Sequence, residues 1–235
     1  MDRVIAHYPA RLSGADLSIC DYPGLAYQTD MRKSVPYDDA YFDKYTVYRD
    51  LEIFTKLQEA RINTVERLNP YTVIDIGIGD GAFLEALDQR RHAQFEATKV
   101  PGLVLYGYDV NAKAKAWLEE RRMWLDIYTH LPPKGVVAWT LWDVLEHIPE
   151  PHLLFDRIRP GDYLVTSIPI FKNLDRIRES KHYRPNEHYY YFTDDGLRSW
   201  LRRYDLVCRV HHRLEAAAGR EDIETYVFQK VGERN

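Results

Sequence analysis

Residues 71–82 read YTVIDIGIGDGA. The run over 71–76 is rich in β-branched residues, and it closes on Gly77, Gly79 and Gly81. A short, continuous apolar run bounded by glycines predicts a strand buried on both faces, followed by a tight turn. The glycines allow that turn and let a ligand approach the main chain. Downstream, a helical pattern spans 82–95, LVLYGYD (103–109) predicts a second strand, and 112–122 a second helix. WLDIY (124–128), VVAWTLW (136–142) and DYLVTSIP (162–169) supply three more strands, with a helix from Pro151 to Ile158. Thr193 is placed to cap a helix reaching Tyr204, and LVCRVHH (206–212) and ETYVFQK (224–230) read as a closing hairpin. Strands alternating with helices over 71–169 imply right-handed βαβ units in a parallel, doubly wound sheet.

Working upstream, Pro70 ends a helical pattern over 38–68, in which Tyr41, Tyr45, Tyr48, Leu51, Phe54, Leu57 and Ile62 recur near a 3.6 period. With Tyr37 and Phe42, these rings read as a core-facing stripe. Residues 1–36 are turn-rich and predict irregular covering segments.

Composition narrows the field. The 235 residues are 45% apolar and 29% charged, which fits a soluble globular chain. Cys20 and Cys208 are the only cysteines, too few for a disulfide framework or a thiolate zinc site. No apolar run suits a secretory leader or a membrane span, so a cytoplasmic location and no membrane partner are expected. A net charge of −4 gives no general attraction to nucleic acid.

In a doubly wound sheet ligands bind beyond the carboxyl ends of the strands. Gly77, Gly79 and Ala82 satisfy the dinucleotide pattern G-x-G-x-x-G/A, which keeps an NAD-dependent dehydrogenase as an alternative. Two acids oppose it. Asp75 at the strand end and Asp80 in the loop repel a pyrophosphate and suit a ligand with a cationic amino group. Asp109, at the end of the second strand, can accept hydrogen bonds from both ribose hydroxyls, although it lies further along than the roughly 20 residues of the dinucleotide fingerprint. It is equally placed to cap the next helix.

Four ordered motifs carry a resemblance: DIGIGDG (75–81), GYD (107–109), DVLEHIPEP (143–151) and PGDYLVTSIP (160–169). Together they resemble class I S-adenosylmethionine-dependent methyltransferases, small-molecule branch, of the ubiquinone-biosynthesis O-methyltransferase type. The resemblance implies a Rossmann-like, mostly parallel seven-stranded sheet with an antiparallel last strand. It implies S-adenosyl-L-methionine as cofactor and S-adenosyl-L-homocysteine as product. Gly77 and Gly79 would flank the methionyl part with Asp80, Asp75 would hold the amino group, Asp109 with Val110 the ribose side, and Asp126 the adenine amino group. Asp143 would complete the cofactor site. The chain departs from the family where Asp162 follows Gly161 and where Val136, Val137 and Ala138 replace an acid.

Methyl transfer requires alignment at an activated carbon, and a base only where the acceptor loses a proton. His147, His188 and Glu146 are the candidate catalytic residues. On a helix, Asp143, Glu146 and His147 would share one face at i, i+3 and i+4. With His188 they are similar to the metal cluster of small-RNA 2′-O-methyltransferases, although no metal is expected here. Residues 1–68 would lid the acceptor pocket, and 69–235 would form the methyltransferase domain with an insertion at 170–192. Lys172, Arg176, Arg178, Lys181 and Arg184 form a basic run in that insertion. It reads first as a solvated loop and second as an anion contact for the acceptor. The expected reaction is O- or N-methylation of a small-molecule acceptor. The alternatives are a metal-assisted RNA or nucleotide 2′-O-methyltransferase, a dehydrogenase, and a non-catalytic cofactor-binding subunit.

Overall fold

Three short strands lead the described chain: β1 (Arg11–Ser13), β2 (Leu17–Cys20) and β3 (Leu25–Gln28). The computed structural model describes residues 10–13, 16–21, 23–29, 37–38, 52–99, 102–130 and 134–232. The strands form an antiparallel meander whose last edge pairs with β8 (Tyr190–Phe192), in the order β1-β2-β3-β8. This corrects the expectation of irregular structure through residue 36. Leu17, Ile19 and Ala26 are buried, packed with Phe171, Leu174 and Ile177, while buried Leu25 joins the core that holds Trp139 and Phe192. Strands of three or four residues are too short to show an alternation that can be counted.

Helix α1 (Glu52–Glu66) follows. Tyr41, Phe42, Tyr45, Tyr48 and Leu51 of the expected stripe lie outside the described residues. The main sheet holds β4 (Thr72–Ile76), β5 (Val104–Tyr108), β6 (Val137–Trp142), β7 (Tyr163–Pro169), β9 (Leu206–His212) and β10 (Ile223–Lys230). Their order is β5-β4-β6-β7-β10-β9. β4 pairs in parallel with β5 on one side and β6 on the other, so the strand order reverses beside it. β10 is antiparallel to both β7 and β9.

The sheet has six strands where seven were expected. The segment 124–128 contributes a single parallel bridge, Trp124 to Gly107. Just beyond it, the Asp126 carboxylate accepts from the backbone N–H groups of Tyr128 (3.0 Å) and Thr129 (3.4 Å), turning the chain away from the edge.

Helices α2 (Ala82–Thr98), α3 (Ala112–Glu120), α4 (Pro151–Phe155), α5 (Asp194–Arg202) and α6 (Leu214–Ala217) complete the fold. Thr193 caps α5 as expected, its hydroxyl accepting from Gly196 N at 3.0 Å. The apolar strands separate two cores. Ile74, Trp139, Leu141, Phe155, Trp200 and Phe228 pack on one face, and Val73, Leu84, Leu105, Leu118 and Val165 on the other. Asp162 explains its own departure from the family pattern: fully buried, it accepts from Val137 N (3.0 Å) and Arg159 N (3.1 Å) and ties the start of β6 to β7. Among the described residues, no helix is long and apolar enough to cross a membrane.

Candidate active site

The strand ends β4, β5 and β6 meet at the point where strand order reverses, and the expected site residues gather there. Gly77 and Gly79 adopt φ of 67° and 57°. A Cβ on Gly77 would lie 2.6 Å from Val144 Cγ2, so this position must stay bare. A Cβ on Gly79 would meet nothing within 4 Å, so the loop faces open space there. Beneath the loop, Asp75 is 1% exposed and accepts from Thr140 Oγ1 at 2.6 Å. Burial pushes its pKa up to about 7, against the opposing effects of the Thr140 bond and Arg61. Asp80, also buried, accepts from Ala82 N at 3.1 Å and shapes the start of α2.

Asp109 faces the same loop, accepting from Gly79 N (3.3 Å) and Asn111 N (2.8 Å). Burial raises its pKa, and these backbone donors counter the rise. The capping role belongs to Asn111, whose side chain accepts from Lys113 N (2.8 Å) and Ala114 N (3.2 Å). Val110 is 72% exposed, beside an aromatic group in which the Tyr108 ring stacks on Trp124 at 5.3 Å and meets Tyr128 edge-on at 5.5 Å. Asp126 sits on the adjoining turn, with its pKa lowered by hydrogen bonds from Thr129 and Tyr128.

The end of β6 differs from expectation. Only a single 3-10 turn, Leu145–His147, follows it, and Asp143 lies outside that turn at φ 58°. Asp143 therefore shares no helical face with Glu146 and His147. Its Oδ2 pairs with Arg220 Nη1 (2.7 Å) and Arg61 Nη2 (3.5 Å), and both arginines reach the fully buried Glu215. Glu146, His147 and His188 do converge, offering ligand atoms within 4.8 Å of one another. Glu146 Oε2 and His188 Nδ1 are buried without a hydrogen-bond partner. Burial and the neighbouring Asp143 raise the Glu146 pKa well above the ordinary range. Burial lowers that of His147, and burial with the His147 charge takes His188 down to about 2, which keeps its imidazole neutral.

The basic run of the insertion is largely spent on internal pairs. Arg176 binds Glu179, Arg178 binds Asp16, and Arg184 lies near Glu187, which is the solvated-loop reading. Sequence reasoning missed Arg61, Arg220 and Glu215. The available signal was Arg61, a charge one turn from Leu57 and Val65 on the buried face of α1.

A family model described as a methyltransferase domain matches residues 45–211. No curated protein matches the sequence. Among solved structures, the fold is similar to magnesium protoporphyrin IX methyltransferase from Synechocystis (16% identity, TM-score 0.52, covering 82% of this chain and 95% of that one). It is also similar to 1,6-didemethyltoxoflavin N1-methyltransferase from Burkholderia thailandensis (13%, 0.55, 95% and 99%). A third likeness is a possible histamine N-methyltransferase from Thermotoga maritima (13%, 0.51, 81% and 95%).

Proposed function

We propose a specific reaction for this chain, which belongs to the methyltransferase-domain family: transfer of a methyl group from S-adenosylmethionine to an oxygen or nitrogen of a small-molecule acceptor. The observation that carries this reading is the acid pair flanking the glycine loop. Asp75 lies buried where β4 runs into the loop, held by Thr140, and Asp109 accepts from the N–H of Gly79, the loop glycine that faces open space. That charge suits an ammonium group and ribose hydroxyls and disfavours a pyrophosphate. Gly77, Gly79 and Asp80 surround the methionyl part in this reading, Asp75 faces the amino group, and Asp109 the ribose. Val110 and Asp126 border the adenine, beside the Tyr108, Trp124 and Tyr128 rings. Asp143, engaged by two arginines, shapes the floor of the site.

The transfer is an in-line displacement at a sulfonium-activated carbon, so the protein supplies alignment and a water-poor site. His147, with its depressed pKa, is uncharged at neutral pH and can take the acceptor's proton. His188 and Glu146 complete that wall. In this reading β3, Tyr37 and the insertion 170–192 cover the acceptor side, a placement supported by the pairing of β3 with β8 and the contact of Tyr37 with His147. Two of the similar structures are named for methylation of magnesium protoporphyrin IX and 1,6-didemethyltoxoflavin, and a small acceptor is the common thread.

A second reading adds a divalent cation. The orphaned Glu146 Oε2 and His188 Nδ1, with a ring nitrogen of His147, make a mixed oxygen and nitrogen donor set that fits one. When bound, such an ion polarises the acceptor oxygen. A nucleic-acid acceptor fits less well, because the acidic chain spends most of its insertion cations internally.

Calorimetry and an acceptor screen test these readings. Adenosylhomocysteine should bind and NADH should not. Binding of NADH alone would return the chain to the dehydrogenases. A homocysteine-release screen over metabolites, with and without chelator, should find turnover; cofactor binding with no turnover identifies a non-catalytic subunit. Asp109→Ala should weaken adenosylhomocysteine by about 1–3 kcal/mol, through loss of a charged hydrogen-bond acceptor. Unchanged affinity in a folded variant would leave Asp109 a purely structural brace of the glycine loop.

A further inference from the structure

We propose that Tyr37 and Asn111 are positioning residues that fix which nitrogen of His147 faces the site. Three observations carry it. His147 Nδ1 lies 3.0 Å from the carbonyl oxygen of Glu187 and 2.7 Å from the hydroxyl of Tyr37. The side-chain amide of Asn111 donates to the carbonyls of both Tyr37 and Asp38, each at 2.9 Å. Asn111 N in turn donates to Asp109, the acid that braces the glycine loop.

A carbonyl oxygen can only accept, so Nδ1 carries the ring hydrogen. The Tyr37 oxygen, nearer still, accepts a share of it. Nε2 is then the nitrogen with a free lone pair, as needed for taking a proton or for ligation. Metal-binding and catalytic histidines are commonly oriented this way, by acceptors on the opposite nitrogen. The ring is also held edge-on to Tyr37 at 6.0 Å and to His188 at 4.6 Å, which limits its rotation. Asn111 extends the arrangement to the next strand end. Its oxygen caps α3 while its amide holds the main chain that carries Tyr37. One side chain thereby joins the cofactor edge at β5 to the histidine beyond β6.

The inference takes its purpose from the reading of His147 as proton acceptor or ligand, but it is tested without any acceptor. Two-bond proton–nitrogen spectra of histidine-labelled protein, recorded well above the ordinary histidine pKa, report which nitrogen is protonated. The wild type should show His147 protonated on Nδ1 and bare at Nε2. Tyr37→Phe keeps the ring and removes one acceptor, so the tautomer ratio should move about tenfold toward Nε2–H. Asn111→Asp keeps the helix cap and loses the amide, so the same signal should move in the same direction, although residue 111 does not touch the ring. Exposed His92 on α2 should not change. Nε2–H as the main form in the wild type would overturn the proposal, as would folded variants that both keep the wild-type ratio. Failure of the methyltransfer reading would appear separately, as absent turnover with the His147 spectrum as expected.

Discussion

Asp75→Asn should gain stability relative to the wild type by on the order of 3 kcal/mol between about pH 4 and pH 8, while binding adenosylhomocysteine less tightly. The ordinary aspartate value is 3.8, and in the folded protein Asp75 titrates at about 7, with burial the first cause. Between those values the folded state holds a proton that the unfolded chain has lost. Wild-type stability therefore falls as pH rises through that window, and the deficit is constant above it. Asparagine has the same shape, and its oxygen can still accept from Thr140 Oγ1, but it never ionises. Its amide hydrogens, buried where the carboxylate oxygens were, subtract a common amount at every pH, so the pH-dependent difference is the clean readout. Urea midpoints at the two pH values measure it. An equal effect at both would show that charge burial at Asp75 is not the source. The paired affinity loss would indicate why a costly carboxylate stands at the end of β4: it faces a ligand whose cationic group replaces the water it gave up.

The β4 to β7 core was legible because each strand is a short, mostly apolar or β-branched run closed by glycine, proline or an acid. The strand-end acids Asp75, Asp109 and Asp143 could be found from the same punctuation, since parallel pairing sends the carboxyl ends of β4 to β7 to one edge. What was not legible depends on contacts distant in sequence. The β1 to β3 meander exists through pairing with β8, more than 160 residues later, and through burial against Phe171, Leu174 and Ile177. The third strand was lost to a local competitor, the Asp126 turn, which periodicity does not register. Asp143 was assigned to a helical face on the assumption that 143–147 is a helix. Its left-handed backbone turns it instead toward Arg220, a residue from the far side of the β9 to β10 connection. Conversely, Glu146, His147 and His188 do meet, because the Tyr189 N–H donates to the Glu146 carbonyl at 2.7 Å and brings the start of β8 against the 3-10 turn.

Glu215→Ala should be the most damaging single change, costing about 3–5 kcal/mol and roughly 10 °C in Tm. Glu215 is fully buried on α6, accepting from Arg61 Nε (2.9 Å) and Nη2 (2.6 Å) and from Arg220 Nη1 (2.5 Å). Removing it leaves two arginines sharing the single carboxylate of Asp143 among the described residues, and Arg61 is only 6% exposed. An uncompensated charge at such depth is expensive, whereas the intact pair contributes little beyond what an apolar pair of similar size would. The double variant Arg61→Met, Glu215→Leu should therefore recover most of the loss, since Arg220 and Asp143 keep each other and the methionine can still pack on Trp142, over which the Arg61 guanidinium now lies at 4.8 Å. Denaturant midpoints of the wild type, Glu215→Ala and the double variant decide the matter. If the double variant were as unstable as Glu215→Ala alone, lost packing of α6 rather than stranded charge would be the cause. The network also meets the site through Asp143, whose charge adds to burial in raising the pKa of Glu146. In Glu215→Ala both arginines turn their full charge on Asp143, which screens it from Glu146 and should let Glu146 ionise more readily than in the wild type.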